Sequence, residues 1–246
     1  MSDGVLLEID MGNTRLKWRL IGQGRQLSGD SHLYRDAWVT RVAPGVEAPA
    51  LIRLASVAGP ERTELLLQHC RHRWQLEPEI AVTTRRCAGV TNAYRDPSAM
   101  GVDRWLAVLA AYQQWQRACL IVDCGSAVTL DMVDNEGLHL GGYIVPGLQL
   151  MRRALFRDTD AVKVEAAAAA SLDPADNTAD AVNRGLLLMT VGFVTEAYRR
   201  LVAELETPVT VVVTGGDGER VGALLSSIDA RICPDLVLDG LALALP

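Results

Sequence analysis

Apolar and polar positions alternate through residues 6–20, LLEIDMGNTRLKWRL. An apolar run stops at Asp10, turns through Gly12-Asn13-Thr14, and resumes as Leu16, Trp18 and Leu20 alternating with Lys17 and Arg19. Period-two alternation on either side of residues that tolerate positive φ predicts a β-hairpin. The same pattern returns at residues 119–133. Leu120-Ile121-Val122 ends in Asp123-Cys124-Gly125-Ser126, and Val128, Leu130 and Met132 then alternate toward a turn at Asn135-Glu136-Gly137. Asp123 follows Asp10 by 113 residues, close to half of the 246-residue chain. A repeat at that spacing predicts two similar α/β domains, 1–117 and 118–246, each opening with the same strand-turn-strand unit.

Two further segments carry a pattern. Residues 208–225 read as a buried strand running into Gly215-Gly216 and then a helical period. Glycines after a strand admit a ligand close to the backbone. Between the hairpins, Pro97-Ser98 predicts a helix start, with Val102, Leu106, Leu109 and Ala110 on one face. A second apolar stripe follows Trp105, Val108, Tyr112 and Trp115. Two stripes predict burial on two sides, one against a core and one against a second subunit.

Composition narrows the partners. Half of the residues are hydrophobic and few are aromatic, which supports a large aliphatic core. A net charge of −6 argues against nucleic acid or an anionic membrane surface. No apolar run reaches the length of a membrane span; the longest, at 185–194, is interrupted by Thr190 and Gly192. The first residues do not read as a signal peptide. Five cysteines without CxxC spacing indicate neither a disulfide framework nor a zinc site. A cytoplasmic protein is expected.

The hairpin turns carry more chemistry than folding needs. A turn uses one or two permissive residues, which leaves Asp10, Thr14 and Lys17 over. A carboxylate suits hydrated Mg²⁺, a hydroxyl and backbone amides suit phosphate, and a lysine supplies charge. Two such turns on two domains would face one another across a cleft and grip a polyphosphate. At the predicted helix start, Gly101-Val102-Asp103-Arg104 admits two readings. Asp103 compensates the helix dipole, or it takes the proton of a substrate hydroxyl while Arg104 grips the substrate's own anion.

Together these motifs resemble type III pantothenate kinase, a branch of the acetate and sugar kinase, Hsp70 and actin superfamily. The resemblance rests on Asp10-x-Gly12-Asn13-Thr14 with Lys17, Tyr94-x-x-Pro97, Gly101-x-Asp103-Arg104 and Asp123-x-Gly125-Ser126-Ala127-x-Thr129. Gly141-Gly142-x-Ile144-x-Pro146-Gly147, Asn177-Thr178 and Thr214-Gly215-Gly216 complete it, in the family's order along nearly the whole chain. It implies duplicated ribonuclease-H-like (actin-like ATPase) domains, a homodimer, and ATP-dependent phosphorylation of pantothenate, the first step of coenzyme A synthesis. By the same resemblance, Asp10, Met11, Gly12, Asn13, Thr14, Arg15, Leu16 and Lys17 form the first phosphate-binding motif, with Asp10 near Mg²⁺. Asp103 resembles the general base, and Tyr94, Gly101, Val102 and Arg104 the pantothenate pocket. Thr178 resembles a threonine that reaches pantothenate in a pocket completed across the dimer. Asp123 is similar to the ligand of a monovalent cation, K⁺ or NH₄⁺, and Ser126 to a residue contacting ATP. Ser126 stands where a threonine is usual, and residues 164–173 do not match the family pattern.

Two other functions compete. An ATPase or polyphosphatase of the superfamily has no use for the block from Tyr94 to Arg104. A ligand-binding regulatory dimer on the same fold would be favoured by a missing Asp10, Asp103 or Lys17, and all three are present.

Overall fold

The computed structural model describes residues 4–157 and 170–246. The unmatched stretch therefore lies outside the described residues at 164–169. Strand β2 (Arg15–Gly22) pairs antiparallel with both β1 (Leu6–Met11) and β3 (Arg25–Leu33). Strand β4 (Leu51–Ser56) then joins β1 in parallel, helix α1 (Pro60–Trp74) follows, and β5 (Glu79–Ile80) joins β4. Next come β6 (Arg86–Cys87), β7 (Val90–Thr91) and α2 (Val102–Trp115).

The pattern then repeats. Strands β8 (Cys119–Cys124), β9 (Ala127–Val133) and β10 (His139–Pro146) are antiparallel. Helices α3 (Leu148–Arg157) and α4 (Thr178–Leu205) lead to β11 (Thr210–Thr214), which joins β8 in parallel. Helix α5 (Gly218–Gly222), β12 (Ala230–Ile232) and α6 (Leu236–Ala244) complete the chain. The two five-stranded sheets have the same order, β3-β2-β1-β4-β5 and β10-β9-β8-β11-β12. Asp10 pairs in register with Lys17 and Ala55, and Asp123 with Thr129 and Thr214. The repeat read from the two turns is thus a repeat of topology.

The chain forms two compact units: Met1–Ala88 with Tyr94–Ala110 and Leu236–Pro246, and Gly89–Ala93 with Ala111–Asp235. In the first, Leu7, Ile9, Met11, Leu16, Ile52 and Leu54 fill the core with Leu66 and Cys70 of α1. In the second, Leu120, Val122, Val211 and Val213 meet Leu187, Val194 and Leu201 of α4.

The opposite face of the first sheet holds charge. Glu8 is fully buried, and Arg19, its register partner, donates from Nε to Glu8 Oε2 at 2.7 Å. Arg53 of β4 lies 3.4 Å from Glu8 Oε1. Arg19 Nη1 also reaches Asp239 Oδ1 of α6 at 2.5 Å. Burial opposes the Arg19 charge, but the Asp239 and Glu8 carboxylates outweigh it and raise its pKa. This network fastens α6 onto the sheet of the first unit. On its other side α6 lies against α2, since a Cβ on Gly240 would collide with the Leu106 carbonyl.

Two expectations need correction. The predicted helix does not begin at Pro97-Ser98. Pro97–Ala99 is a single 3₁₀ turn capped by Asp96, whose carboxylate accepts from Ser98 N at 3.0 Å. Met100 is extended, and α2 starts afresh at Val102. The second correction concerns the two stripes of α2. Trp105, Leu106, Val108 and Leu109 are all fully buried and Tyr112 nearly so. Both stripes are covered within one chain as far as Tyr112, which leaves only the half-buried Trp115 of the second stripe at the surface.

Candidate active site

In the first unit the acidic turn closes by Gly12 N donating to Arg15 O at 3.0 Å. Met11 and Leu16 are fully buried, so their side chains serve the core and not a ligand. Arg15 turns toward β3 and donates to Ser31 O at 3.3 Å. The groups this motif presents are therefore the exposed Asn13 and Thr14 with half-buried Gly12, Asp10 and Lys17. Asp10 and Lys17 face each other across the β1–β2 ladder, a carboxylate and an ammonium flanking the turn.

The Gly101–Arg104 motif lies at the same edge. Val57 N and Ala58 N donate to Met11 O at 2.9 and 3.2 Å, so the chain leaving β4 is tied to the last residue of β1. A Cβ on Gly101 would stand 4.0 Å from Val57 Cγ1 and would press on Asp103 Oδ1 at 2.7 Å. Residues 101–103 thus run alongside Val57, and the absent side chain at 101 leaves room for the Asp103 carboxylate. Asp103 Oδ1 accepts from Arg104 N at 2.8 Å, so its first role is at the helix start. Arg104 is buried, donates from Nη1 to Tyr94 Oη at 2.8 Å, and lies 5.7 Å from the Tyr94 ring centroid. Val102 is half-buried beside them.

The loop carrying Tyr94 is held by residues that no motif indicated. Arg85 donates to the carbonyls of Tyr94 and Arg95, both at 2.6 Å, and Thr83 Oγ1 donates to Met100 O at 2.9 Å. Tyr34 and Arg62 brace the acidic turn in the same way. Tyr34 Oη donates to Gly12 O at 2.9 Å and Arg62 Nη1 to Asn13 O at 2.8 Å. Side-chain bonds to distant carbonyls leave no periodic or spacing signal, which is why sequence reasoning missed all four.

In the second unit, Gly125 N closes the turn on Ala127 O at 3.0 Å. Gly147 N donates to Ser126 O at 3.1 Å, and Asp217 N to Cys124 O at 3.0 Å. Gly215 has φ +89°, and any Cβ there would overlap Asp123 Oδ1 and the Cys124 backbone, so glycine is required. The Cys124 thiol is pushed up by burial and then by the nearby carboxylates of Asp123 and Asp217. Asp217 therefore joins Asp123 at the end of β8, a neighbour the sequence did not single out. Ser126 is exposed. Thr178 is exposed at the first turn of α4, where the Asn177 side chain caps Asp180 N at 3.0 Å. Among the described residues no group of three or more His, Cys, Asp or Glu is placed to hold a metal.

The chain matches the family model for type III pantothenate kinase over residues 6–200. It is 41% identical over 248 residues to a type III pantothenate kinase of Pseudomonas aeruginosa, covering 98% of this chain and 99% of that one. To the type III pantothenate kinase of Alcanivorax borkumensis it is 40% identical over 245 residues, covering 96% and 97%. Among solved structures it is similar to a Baf family protein of Campylobacter jejuni, with TM-score 0.61, 19% identity and coverage of 96% and 95%. It is also similar to the ethanolamine utilization protein EutJ of Carboxydothermus hydrogenoformans, with TM-score 0.53, 12% identity and coverage of 99% and 91%. At those identities the structures carry the fold alone, the duplicated ribonuclease-H-like, actin-like architecture.

Proposed function

The chain belongs to the type III pantothenate kinase family, and from that premise we infer that it transfers the ATP γ-phosphate to the primary alcohol of pantothenate. It is a pantothenate kinase, acting in coenzyme A synthesis. The observation that carries this reading is the meeting of two motifs at one sheet edge, the Asp10–Lys17 turn and the Gly101–Arg104 start of α2. One is suited to a nucleotide phosphate and the other to an alcohol with an anionic tail.

Phosphoryl transfer leaves little covalent work for the protein, which aligns the reactants, offsets developing charge and excludes water. Asp103 orients the pantothenate hydroxyl and accepts its proton. Arg104, held by Tyr94, offers a planar fork to the pantothenate carboxylate, which a lysine would not. Asn13 and Thr14 receive phosphate oxygens, and Lys17 offsets their charge. ATP brings a divalent metal, assigned as Mg²⁺, which spreads the phosphate charge. Asp10 fits it: a half-exposed oxygen donor at a strand end suits an ion that keeps most of its waters. Ser126 is assigned to ATP, and Asp123 to a monovalent cation, K⁺ or NH₄⁺. The repeat is assigned to 1–117 and 118–246, on the offset of the two turns and one five-stranded sheet in each range.

The test is ADP release with and without pantothenate, repeated with Na⁺ replacing K⁺. Turnover is expected to require pantothenate and to be negligible with water as acceptor. Equal release without pantothenate would instead make the protein an ATPase.

We assign the protein to the cytoplasm; no helix among the described residues is long and apolar enough to cross a membrane. The homodimer is assigned to α4 in place of α2. Gly185, Leu188, Met189 and Gly192 share one face of α4. Leu188 and Met189 are more than half exposed, and nothing stands within 4 Å of a Cβ on either glycine. Phe193 continues that face to Tyr143, 6.0 Å away ring to ring, and Ile144 beside it is exposed. Because α4 begins at Thr178, this face also suits a pantothenate pocket completed by a second copy. Met189→Glu is expected to yield monomers by light scattering at micromolar concentration. A dimer unchanged by that charge would move the interface elsewhere.

A further inference from the structure

We propose that Tyr34 and Arg62 are positioning residues for the phosphate-binding turn, setting the direction of its two ligand-facing amides. The inference rests on the reading of that turn as the nucleotide phosphate site. Tyr34 Oη holds the Gly12 carbonyl at 2.9 Å and Arg62 Nη1 holds the Asn13 carbonyl at 2.8 Å. A peptide group is planar, and in the trans form its C=O and N–H point in opposite directions. The Gly12 carbonyl shares a peptide plane with Asn13 N–H, and the Asn13 carbonyl shares one with Thr14 N–H. Fixing both carbonyls therefore aims two successive amides away from Tyr34 and Arg62. Successive amides with fixed directions form a concave anion site.

The two braces support each other. The Arg62 guanidinium lies 4.6 Å from the Tyr34 ring centroid, a cation–π contact. Tyr34 is set in turn by Trp38, edge-on at 4.9 Å. Burial, and then the Asp10 charge, push the Tyr34 ionisation up, so the phenol remains a donor at physiological pH. The second turn is built differently: there the Ser126 carbonyl is held by the backbone amide of Gly147, 3.1 Å away.

The test uses the full-length protein and the magnesium complex of a non-hydrolysable ATP analogue, titrated by calorimetry beside steady-state kinetics. Tyr34→Phe keeps the ring and changes no charge, so its effect cannot be lost attraction for phosphate. It is expected to weaken analogue binding about 5-fold, and Arg62→Leu about 10-fold, the scale of one neutral and one charge-assisted hydrogen bond. Arg62→Lys is expected to recover most of the loss. The KM for pantothenate and the melting temperature should hardly move in Tyr34→Phe. Unchanged analogue affinity in Tyr34→Phe and Arg62→Leu would overturn the proposal. So would a parallel rise in the KM values for ATP and pantothenate with a fall in melting temperature, which marks a purely structural role. The wild-type acceptor assay is separate: failure there removes the kinase reading, whereas failure of the variants to weaken analogue binding removes only the bracing.

Discussion

Asp103→Asn is expected to lower kcat by about 10²–10⁴-fold, the usual range for loss of a general base. The substitution is isosteric, and an asparagine Oδ1 still accepts from Arg104 N, the 2.8 Å bond that Asp103 makes now. The helix start, the Tyr94–Arg104 contact and nucleotide affinity should therefore persist while the proton acceptor is gone. That separates the two readings of this residue. A helix-capping aspartate would lose almost nothing on becoming asparagine, since both are good caps. Asp10→Asn should fail differently. An amide is a poor substitute for a carboxylate beside Mg²⁺, so Mg-nucleotide affinity and turnover should fall together while pantothenate affinity stays. Calorimetric titration of both variants with each substrate, alongside steady-state rates, distinguishes them. Near-normal turnover in Asp103→Asn would return the residue to capping and leave the mechanism to positioning alone.

Glu8→Ala is expected to cost about 3–5 kcal/mol of stability, the range for removing one partner of a buried ion pair. Glu8 is fully buried, and its carboxylate lies between the Arg19 and Arg53 guanidiniums. Its loss leaves the buried Arg19 and the half-buried Arg53, on the two strands that flank β1, without the carboxylate between them. For a chain of this length each kcal/mol moves the melting temperature by roughly 2–4 °C, so a fall of about 10 °C is expected by calorimetry. Asp239→Asn should cost much less, because that carboxylate is about half exposed and water replaces it. Equal losses in the two variants would mean that docking of α6, rather than the buried charge, supplies the stability.

The sequence by itself determined the two hairpins, because alternation with period two and permissive turn residues are local properties that no distant contact needs to supply. It also determined the repeat, since the spacing of Asp10 and Asp123 is legible without knowing how strands pair. The resemblance, built on residues in linear order, pointed to the family and to Asp10, Asp103 and Asp123. Where short-range signals ran out, expectation and structure parted. The apolar stripes of α2 are real, but periodicity cannot say what covers them, and as far as Tyr112 both are covered within one chain. The helix start was misplaced because Pro97-Ser98 is a good start for any helical turn, and only Asp96 and extended Met100 confine it to one. Tertiary structure alone decided that β4 enters beside β1, which brings Val57 to Met11 and residues 101–103 to the end of the acidic strand. It alone decided that α6 returns from the end of the chain to the first unit, held by Asp239 on Arg19. It also decided that Tyr34 and Arg62, 22 and 49 residues from the carbonyls they hold, brace the acidic turn. Such bonds depend on where folding brings two segments together, and a linear pattern carries no record of that.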